Sequence, residues 1–427
     1  MRKILIVGGG QSGLQLALGL LQHEYEVTLM SSRTAQEIRR GRVMSTQAMF
    51  DSALQIERDL GLNFWEDETP PIEGIGVSVA APDGGRALDW VGWFERYAQS
   101  VDQRVKMSGW MDVFESRGGK LVIHGVTVSD LDRLAGMFDL VLVAAGKGEL
   151  VDLFDRDASR SPYSTPQRAL SVVYVHGLAA RPEHPSRRAV RINLIPGVGE
   201  LFMIPALTVT GSCDIMFFEG IPGGPLDCWD EIRAADDHLE HFLELMKQFV
   251  PWEYERCGEV VLSDSGGVLS GRYPPIVRHP VGQLPSGDAV LGMADVVVAN
   301  DPIVGQGSNN ACKCAGVYLD SILEHGDRPY DEEFMQRTFD SYWSYAQHPT
   351  LFSNAMLQPP PPHALEVLGA AGQHQEIADR FTNGFNDTAD LVGWFLDPER
   401  AQAYLAEVQE RHDRAASVRY YANRRRT

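Results

Sequence analysis

The sequence predicts an α/β chain with two sheets and a helical C-terminal region. Three observations predict it: a strand–glycine loop–helix opening, a middle stretch of short strands between Gly and Pro turns, and a strand-poor end. In the opening, Lys3–Val7 is a short apolar, β-rich run. Between Ser12 and Gln22, Leu14, Leu16, Ala17, Leu18, Leu20 and Leu21 form a buried helix pattern, and Glu26–Met30 is a second strand. Strand, helix and strand in this order make a βαβ unit, which calls for a parallel sheet covered by helices.

Asp139–Ala145 is another apolar strand and ends at Gly146-Lys147. Turn signals precede it at Pro70-Pro71 and Pro82-Asp83-Gly84-Gly85. From about Arg168 to Glu219 the pattern changes. Leu170–Val175, Ala189–Leu194 and Ile215–Glu219 read as strands of a mostly antiparallel second sheet. Asp230–Phe249 reads as an amphipathic helix, Ala289–Met293 as a strand, and Asn310–His325 as a helix with Val317, Leu319, Ile322 and Leu323 on its apolar side. Beyond Asp331 the chain reads as helical apart from Pro359–Pro362, a stiff extended connector. The expected units are 1–160, with substrate-side segments inserted at about 65–110, then 161–275, 276–330 as a return to the first unit, and 331–427.

Composition narrows the function. The 427 residues carry 58 acidic against 38 basic side chains, a net charge of −20 that repels phosphate backbones and anionic membranes. No nucleic acid and no membrane is therefore expected as a partner. Arg2-Lys3 ahead of an apolar run mimics a signal peptide, but Gly8-Gly9-Gly10 breaks the run at once. No apolar stretch reaches the roughly 18 residues that span a bilayer, so a cytoplasmic chain is expected. Cys213, Cys228, Cys257, Cys312 and Cys314 are odd in number and scattered, which fits a reducing compartment. Cys312 and Cys314 read as buried small side chains rather than zinc ligands, and the histidines show no ligand spacing, so no metal is expected. Arg424-Arg425-Arg426 reads as a solvated tail.

Gly8-x-Gly10-x-x-Gly13 lies between the first strand and the first helix. Gly8 permits the tight turn, Gly10 lets the backbone approach a pyrophosphate, and Gly13 lets helix and strand pack closely. Gln11 and Ser12 open the helix, whose N–H groups face the anion. The alternative is a glycine-rich turn with no ligand. The second strand ends in Met30-Ser31-Ser32-Arg33, without the acidic residue common at the ribose, so Ser or Arg33 would serve there. A second signal is Gly292-Met293-Ala294-Asp295 followed by Asp301-Pro302-Ile303-Val304-Gly305-Gln306-Gly307-Ser308-Asn309-Asn310. Asp295 could take ribityl hydroxyls, and the amides of Gly305–Ser308 at a helix N-terminus could stabilise negative charge on a flavin ring. A plain strand–loop–helix connection is the alternative.

The glycine loop and the late Asp-Pro-x-x-Gly-Gln-Gly-x-Asn segment resemble the flavoprotein monooxygenases of the p-hydroxybenzoate hydroxylase fold. Within that group the chain looks most like the styrene and indole monooxygenases, two-component enzymes, and closest to the indole-acting ones. The similarity includes Arg117-Gly118-Gly119-Lys120, Asp139–Lys147, Pro166-Gln167-Arg168-Ala169-Leu170 and Phe381-Thr382-x-x-Phe385-Asn386. It implies a Rossmann-like FAD-binding domain, a second β-sheet substrate domain and a helical C-terminal region. The cofactors implied are FAD, reduced by a partner, and O2. FAD would be held by Gly8, Gly10, Gln11, Ser12, Gly13, Arg33, Arg42, Gly146, Asp295, Pro302, Gly305, Gln306, Gly307, Ser308 and Asn309. Single-component hydroxylases carry an Asp-Gly pair where this chain has Ala144-Ala145-Gly146-Lys147, and no second nicotinamide fingerprint is present. Reduced FAD is therefore expected from a separate NADH:flavin reductase in a transient complex, and a homodimer is one assembly open to the chain.

The same resemblance places Arg42–Met49 beside flavin and substrate. Indole-acting members carry Ser, Gln and Met, as at Ser45, Gln47 and Met49, where styrene-acting members carry Asn, Val and His. Thr46 and Ala98 complete the expected substrate pocket, and Ile75, Gly76 and Val77 fall near further distinguishing positions. The implied chemistry is a flavin C4a-hydroperoxide that epoxidises the C2=C3 bond of indole, leading to indoxyl and indigo, with no protein acid or base. An apolar wall suits a flat aromatic, and Gln47 could meet an indole N–H. The start of a packed helix is the alternative for Ser45–Met49. Competing functions are a styrene epoxidase, a single-component aromatic hydroxylase, a flavin-dependent dehydrogenase or halogenase, and a flavin-binding scaffold. A halogenase would carry Trp-x-Trp-x-Ile-Pro; Trp90-x-x-Trp93 and Lys147 do not supply it.

Overall fold

The computed structural model describes residues 2–146 and 148–424; Lys147 and the basic end Arg425-Arg426 lie outside the described residues. Lys3–Val7 is the hub of the first sheet. It pairs in parallel with Glu26–Ser31 on one side and Leu140–Val143 on the other. The full order is Val281–Gln283, Ala289–Gly292, Leu140–Val143, Lys3–Val7, Glu26–Ser31, Lys120–Ile123, parallel except at the Val281–Gln283 edge. Strands covered on both faces read as continuous apolar runs, and Ile4–Val7 and Leu140–Val143 do so because each is buried throughout. The helices Gln11–Gln22, Gln103–Ser116 and Gly307–His325 cover the sheet through Leu14, Leu18, Trp110, Phe114 and Tyr318 in one core.

The second sheet runs Val261–Leu262, Ala169–His176, Gly211–Gly220, Gly199–Thr208, Ala189–Ile195, Ile72–Ala80, Arg86–Ala98, with Val268–Gly271 also pairing Ala169–His176. It is antiparallel except where Ile72–Ala80 meets Ala189–Ile195. Ile72–Ala80 and Arg86–Ala98 thus come from the segment inserted early in the chain. Cross-strand registry lines up Val172, Phe217, Phe202, Ile192 and Val77 in one row, so these side chains share a face. The opposite face, with Val173, Met216 and Phe218, is closed by Phe242, Leu245 and Met246 of the helix Ala235–Phe249. That helix starts later than the sequence pattern predicts.

The chain from Glu332 is helical: Glu332–Met356, Pro362–Ala371, Gln375–Asn383, Thr388–Phe395 and Pro398–Arg424. The proline run ends by starting a helix at Pro362, where a missing N–H costs nothing. These helices seat on Arg86–Ala98. Trp90 Nε1 donates to the Leu368 carbonyl at 2.9 Å, and a side chain on Gly92 would lie 2.1 Å from the Ala378 oxygen. All five cysteines are free, and Cys312 and Cys314 are buried as expected. Among the described residues no helix is long and apolar enough to cross a membrane, and no cluster of His, Cys, Asp or Glu could hold a metal ion.

One buried ion pair ties the helices around the glycine loop. Lys106, on Gln103–Ser116, donates to both carboxylate oxygens of Glu57, on Asp51–Asp59, at 2.8 and 2.9 Å. Burial pushes the Glu57 carboxyl above its ordinary range, and the Lys106 charge opposes this. Lys106→Met removes the partner and strands a carboxyl in the core. It should cost about 3–5 kcal/mol at neutral pH. Because Glu57 then favours its proton still more in the folded state, part of the loss should return as pH falls toward the ordinary Glu range. Urea unfolding of the variant at two pH values checks both statements; a loss below 1 kcal/mol, or one independent of pH, contradicts them.

Candidate active site

The geometry begins at the glycine loop. Gly8 holds φ +128°, and a side chain there would meet the Ala144 carbonyl carbon at 2.6 Å. A Cβ on Gly13 would lie 2.1 Å from the Gly8 oxygen, so this glycine permits the strand–helix contact. Around Gly10 a Cβ would meet nothing within 4 Å, leaving open space over the loop. The helix Gln11–Gln22 begins at Gly10 with no side-chain cap and no acidic residue in its first turn. Its first N–H groups are left to a ligand.

The late segment repeats this device. Gly305 takes the left-handed conformation at φ +63°, and the helix Gly307–His325 starts after it without a side-chain cap. The sequence pattern starts this helix at Asn310; it in fact begins three residues earlier, within the glycine segment itself. Gln11 Nε2 donates to the Ser308 carbonyl at 3.2 Å and Gln15 Nε2 to that of Cys312 at 3.1 Å. The two helix starts are thereby held side by side.

Both open on one cavity of about 1070 Å³, larger than the roughly 300–1,000 Å³ of a pocket for one small ligand. Gly8, Gly10, Gln11, Ser12, Arg33, Arg42, Gly146, Asp295, Pro302, Gly305, Gly307 and Ser308 line it, as do Ser45, Thr46 and Gln47. Arg33 and Arg42 are exposed at its rim. Five other expected residues are not on the wall. Gly13 acts beneath the loop. Gln306 is turned inward, donating to the Phe385 carbonyl at 2.9 Å. Asn309 clamps Ala48–Phe50, with Nδ2 on the Ala48 oxygen at 2.8 Å and Oδ1 on the Phe50 N–H at 2.9 Å. Met49 faces the core because its sulfur accepts from Gln11 and Lys106. Ala98 is fully buried at the end of Arg86–Ala98. The segment Ser45–Ala48 has no regular secondary structure rather than a helix; Met49 and Gln99 exchange backbone hydrogen bonds at 2.7 and 2.9 Å, and the helix starts only at Asp51.

Part of the cavity wall is apolar and was not identified from the sequence. Val172, Val190, Ile192, Phe202, Ile204 and Phe217 form it, with Phe202 and Phe217 stacked at 5.6 Å. Composition marked Ala169–His176 and Gly211–Gly220 as strands, but which of their faces meets a ligand is set by tertiary structure.

A buried carboxyl pair lies under the late loop. Asp301 opens that loop, and Glu219, the penultimate residue of the strand Gly211–Gly220, lies opposite Glu200, which takes a two-pronged contact from Arg168 at 2.8 and 2.9 Å. Neither Glu219 oxygen meets an N–H or O–H donor, so the buried Glu219 carboxyl favours its protonated form. Burial, then the charges of Asp301 and Glu200, pushes Glu219 well up; burial pushes Asp301 to about 6.

Two outcomes follow. Gly10→Ala should leave the melting temperature unchanged and weaken FAD binding about tenfold or more, read by flavin fluorescence, whereas Gly13→Ala should destabilise the fold itself by about 1–3 kcal/mol. Equal FAD affinity in Gly10→Ala and wild type would rule out close cofactor approach at this loop. For Glu219, the folded state keeps a proton that the unfolded chain releases above the ordinary Glu range. Stability from this group is therefore full at low pH and lost as pH rises. Glu219→Gln mimics the protonated form, so its melting temperature should match wild type near pH 5 and exceed it increasingly toward pH 9; parallel pH profiles would contradict a Glu219 that keeps its proton in the folded state.

Comparison with known proteins fits this geometry. Residues 146–256 match the family described as "Styrene monooxygenase A putative substrate binding domain". Styrene monooxygenase StyA of Pseudomonas fluorescens is 32% identical over 93% of this chain and 96% of its own length. A second StyA, from Pseudomonas sp, is 32% identical over 95% and 98%. Among solved structures, the flavin-dependent brominase Bmp2 superposes with a TM-score of 0.59 at 14% identity, covering 97% of this chain and 99% of its own. The p-nitrophenol 4-monooxygenase PnpA of Pseudomonas putida DLL-E4 gives 0.61 at 12% identity, covering 91% and 98%. The structural likenesses speak for the fold alone. Two uncapped helix starts on one large cavity, on a chain aligned with its relatives over more than nine-tenths of its length, lead to one assignment: the chain belongs to the styrene monooxygenase StyA family and is a flavin-dependent monooxygenase.

Proposed function

We propose that this chain takes reduced FAD from a separate NADH:flavin reductase and epoxidises the C2=C3 bond of indole. The observation that carries the substrate reading is the placement of Ser45, Thr46 and Gln47 on the wall of the same cavity as the apolar row of the second sheet. The chain fits FAD on its own geometry. Gly10 leaves space for a pyrophosphate, Gly8 and Gly13 allow the close packing beneath it, and the helix starts at Gln11 and Gly307 direct N–H groups toward anionic parts of the cofactor. Arg33 and Arg42 at the rim supply cationic partners.

When bound and reduced, FAD supplies the activated oxygen derived from O2. The protein's tasks are positional. Gly305–Ser308 would hold the ring edge, and Val172, Phe202 and Phe217 exclude water and offer a flat, greasy platform for an aromatic ring. Gln47 offers a neutral polar contact for the indole N–H. No side chain is asked to act as acid, base or nucleophile.

A styrene substrate is the second reading, favoured by the names of the 32% identical relatives. Product analysis with FAD, NADH and a generic flavin reductase separates the two. Indole should be consumed with formation of blue pigment, at a higher kcat/KM than styrene. Omitting the reductase should abolish product. Styrene turnover with no indole turnover would move the chain to the second reading, and rapid NADH oxidation without reductase would overturn the two-component reading.

A further inference from the structure

The cavity wall carries a closed ring of hydrogen bonds whose direction is forced. Tyr174, on the strand Ala169–His176, is fully buried, with its hydroxyl 2.9 Å from the backbone oxygen of Ser45. A carbonyl oxygen only accepts, so the single phenol proton must go there. Burial raises the phenol well above its ordinary pKa, so it keeps that proton. The Tyr174 oxygen can then only accept from Gln47, whose amide nitrogen lies 3.0 Å away. Ser100 Oγ, at 3.4 Å, takes the same nitrogen's second proton. Both N–H groups of Gln47 are thus held inside the protein, and the amide oxygen is turned the other way. Ser45 Oγ donates to that oxygen at 3.1 Å. An sp2 oxygen has two lone pairs, so one remains on a residue that lines the cavity.

We propose that Tyr174 is a positioning residue: by fixing the direction of the Gln47 amide, it makes the polar spot on the cavity wall an acceptor and so selects a flat aromatic substrate that carries an N–H. This rests on the indole reading of the same cavity and adds the residue that sets its preference. With the hydroxyl gone, the amide can rotate by half a turn and present nitrogen instead, since Ser45 Oγ can accept as well as donate. An N–H substrate then loses its acceptor, while a substrate with an acceptor atom at that place gains a donor.

Indole and benzofuran share shape, but benzofuran has a ring oxygen where indole has the N–H. Binding of each to the oxidised FAD complex, by titration calorimetry, should show wild type preferring indole. In Tyr174→Phe the affinity for indole should fall about tenfold while that for benzofuran holds or rises. With reductase and NADH the same change should appear in KM for indole and not in kcat, because the contact is equal in ground and transition states. A merely structural role would weaken both ligands in the same proportion, and that result overturns the proposal. Gln47→Met keeps the phenol and removes the amide; it should erase the indole preference, and a preserved preference overturns the proposal even where Tyr174→Phe fails to fold. Wild type that neither binds nor oxidises indole overturns the substrate reading itself, an outcome distinct from equal losses in the variant.

Discussion

Two helix starts must be kept side by side and uncapped, and much of the rest of the structure depends on that constraint. Each leaves its first N–H groups without an intrahelical partner, a state that is costly unless water or a ligand satisfies them. Nothing local holds them together, since Gln11 and Gly307 are far apart in sequence. The lock is made by side chains on the helices themselves. Gln11 and Gln15 donate across to backbone oxygens of the second helix, and Gly19 lets Leu319 come within reach, where a Cβ would sit 2.7 Å from its methyl carbon. Gln11 is itself fixed by Gln103, which donates to its oxygen at 3.2 Å. The residue that follows the cofactor loop is therefore both part of the cavity wall and the fastener between its halves.

From this lock the constraint passes to the substrate side. Asn309, in the first turn of the second helix, grips Ala48 and Phe50 by their backbone, so the segment Arg42–Ala48 is positioned by the helix that opens on the cavity. At the other end, Val43 N–H donates to the Gly266 oxygen at 2.9 Å. Arg104 completes the frame. It joins Asp102 on its own helix to Asp264 and to Thr208 of the second sheet, with bonds of 2.9 to 3.0 Å. A buried guanidinium is tolerated here because two carboxylates and a hydroxyl satisfy it. Cofactor loop and sheet are thus tied through polar contacts that permit little relative sliding, as an oxygen atom must be delivered over a short distance.

The parts legible in the sequence are those where local geometry dictates residue type. Lys3–Val7, Gln11–Gln22 and Glu26–Ser31 are where the pattern places them to within a residue, because a doubly covered strand must be apolar and Gly13 must lack a Cβ. Ala169–His176, Ala189–Ile195 and Gly211–Gly220 showed through their composition and bounding turns. Ile72–Ala80 did not. Its Gly74 and Gly76 mimic a turn but are glycines because neighbours press on them; a Cβ on Gly76 would lie 1.7 Å from the Arg191 guanidinium. Gly199–Thr208 was hidden too, being buried along its whole length with Pro205 inside. At the site, resemblance brought the right segments but could not say which way a side chain points. Met49 lies between two wall residues in sequence and yet faces the core, and Ala98 is buried away from the cavity. Tyr174 and Glu219 matter through partners far along the chain, and no local pattern marks them.

In the proposed reading, the apolar row and the polar ring divide the work of recognition. Apolar burial gives affinity in proportion to area, and it discriminates poorly between flat rings of similar size. A charged group on the wall would add direction, but at a desolvation cost and with a field reaching the cofactor. A neutral amide held by a phenol and two hydroxyls avoids both. Its net charge is zero, its donors are consumed inside the protein, and what it offers the cavity is one acceptor in one direction. A bound N–H would complete its hydrogen bonding, whereas a C–H edge would leave the oxygen dry and short of a partner. Discrimination of that kind arises from the cost of an unmet hydrogen bond, and it requires that the amide be unable to turn over. In this fold that rotation is blocked by a tyrosine whose only proton is already committed to the backbone of the segment it serves.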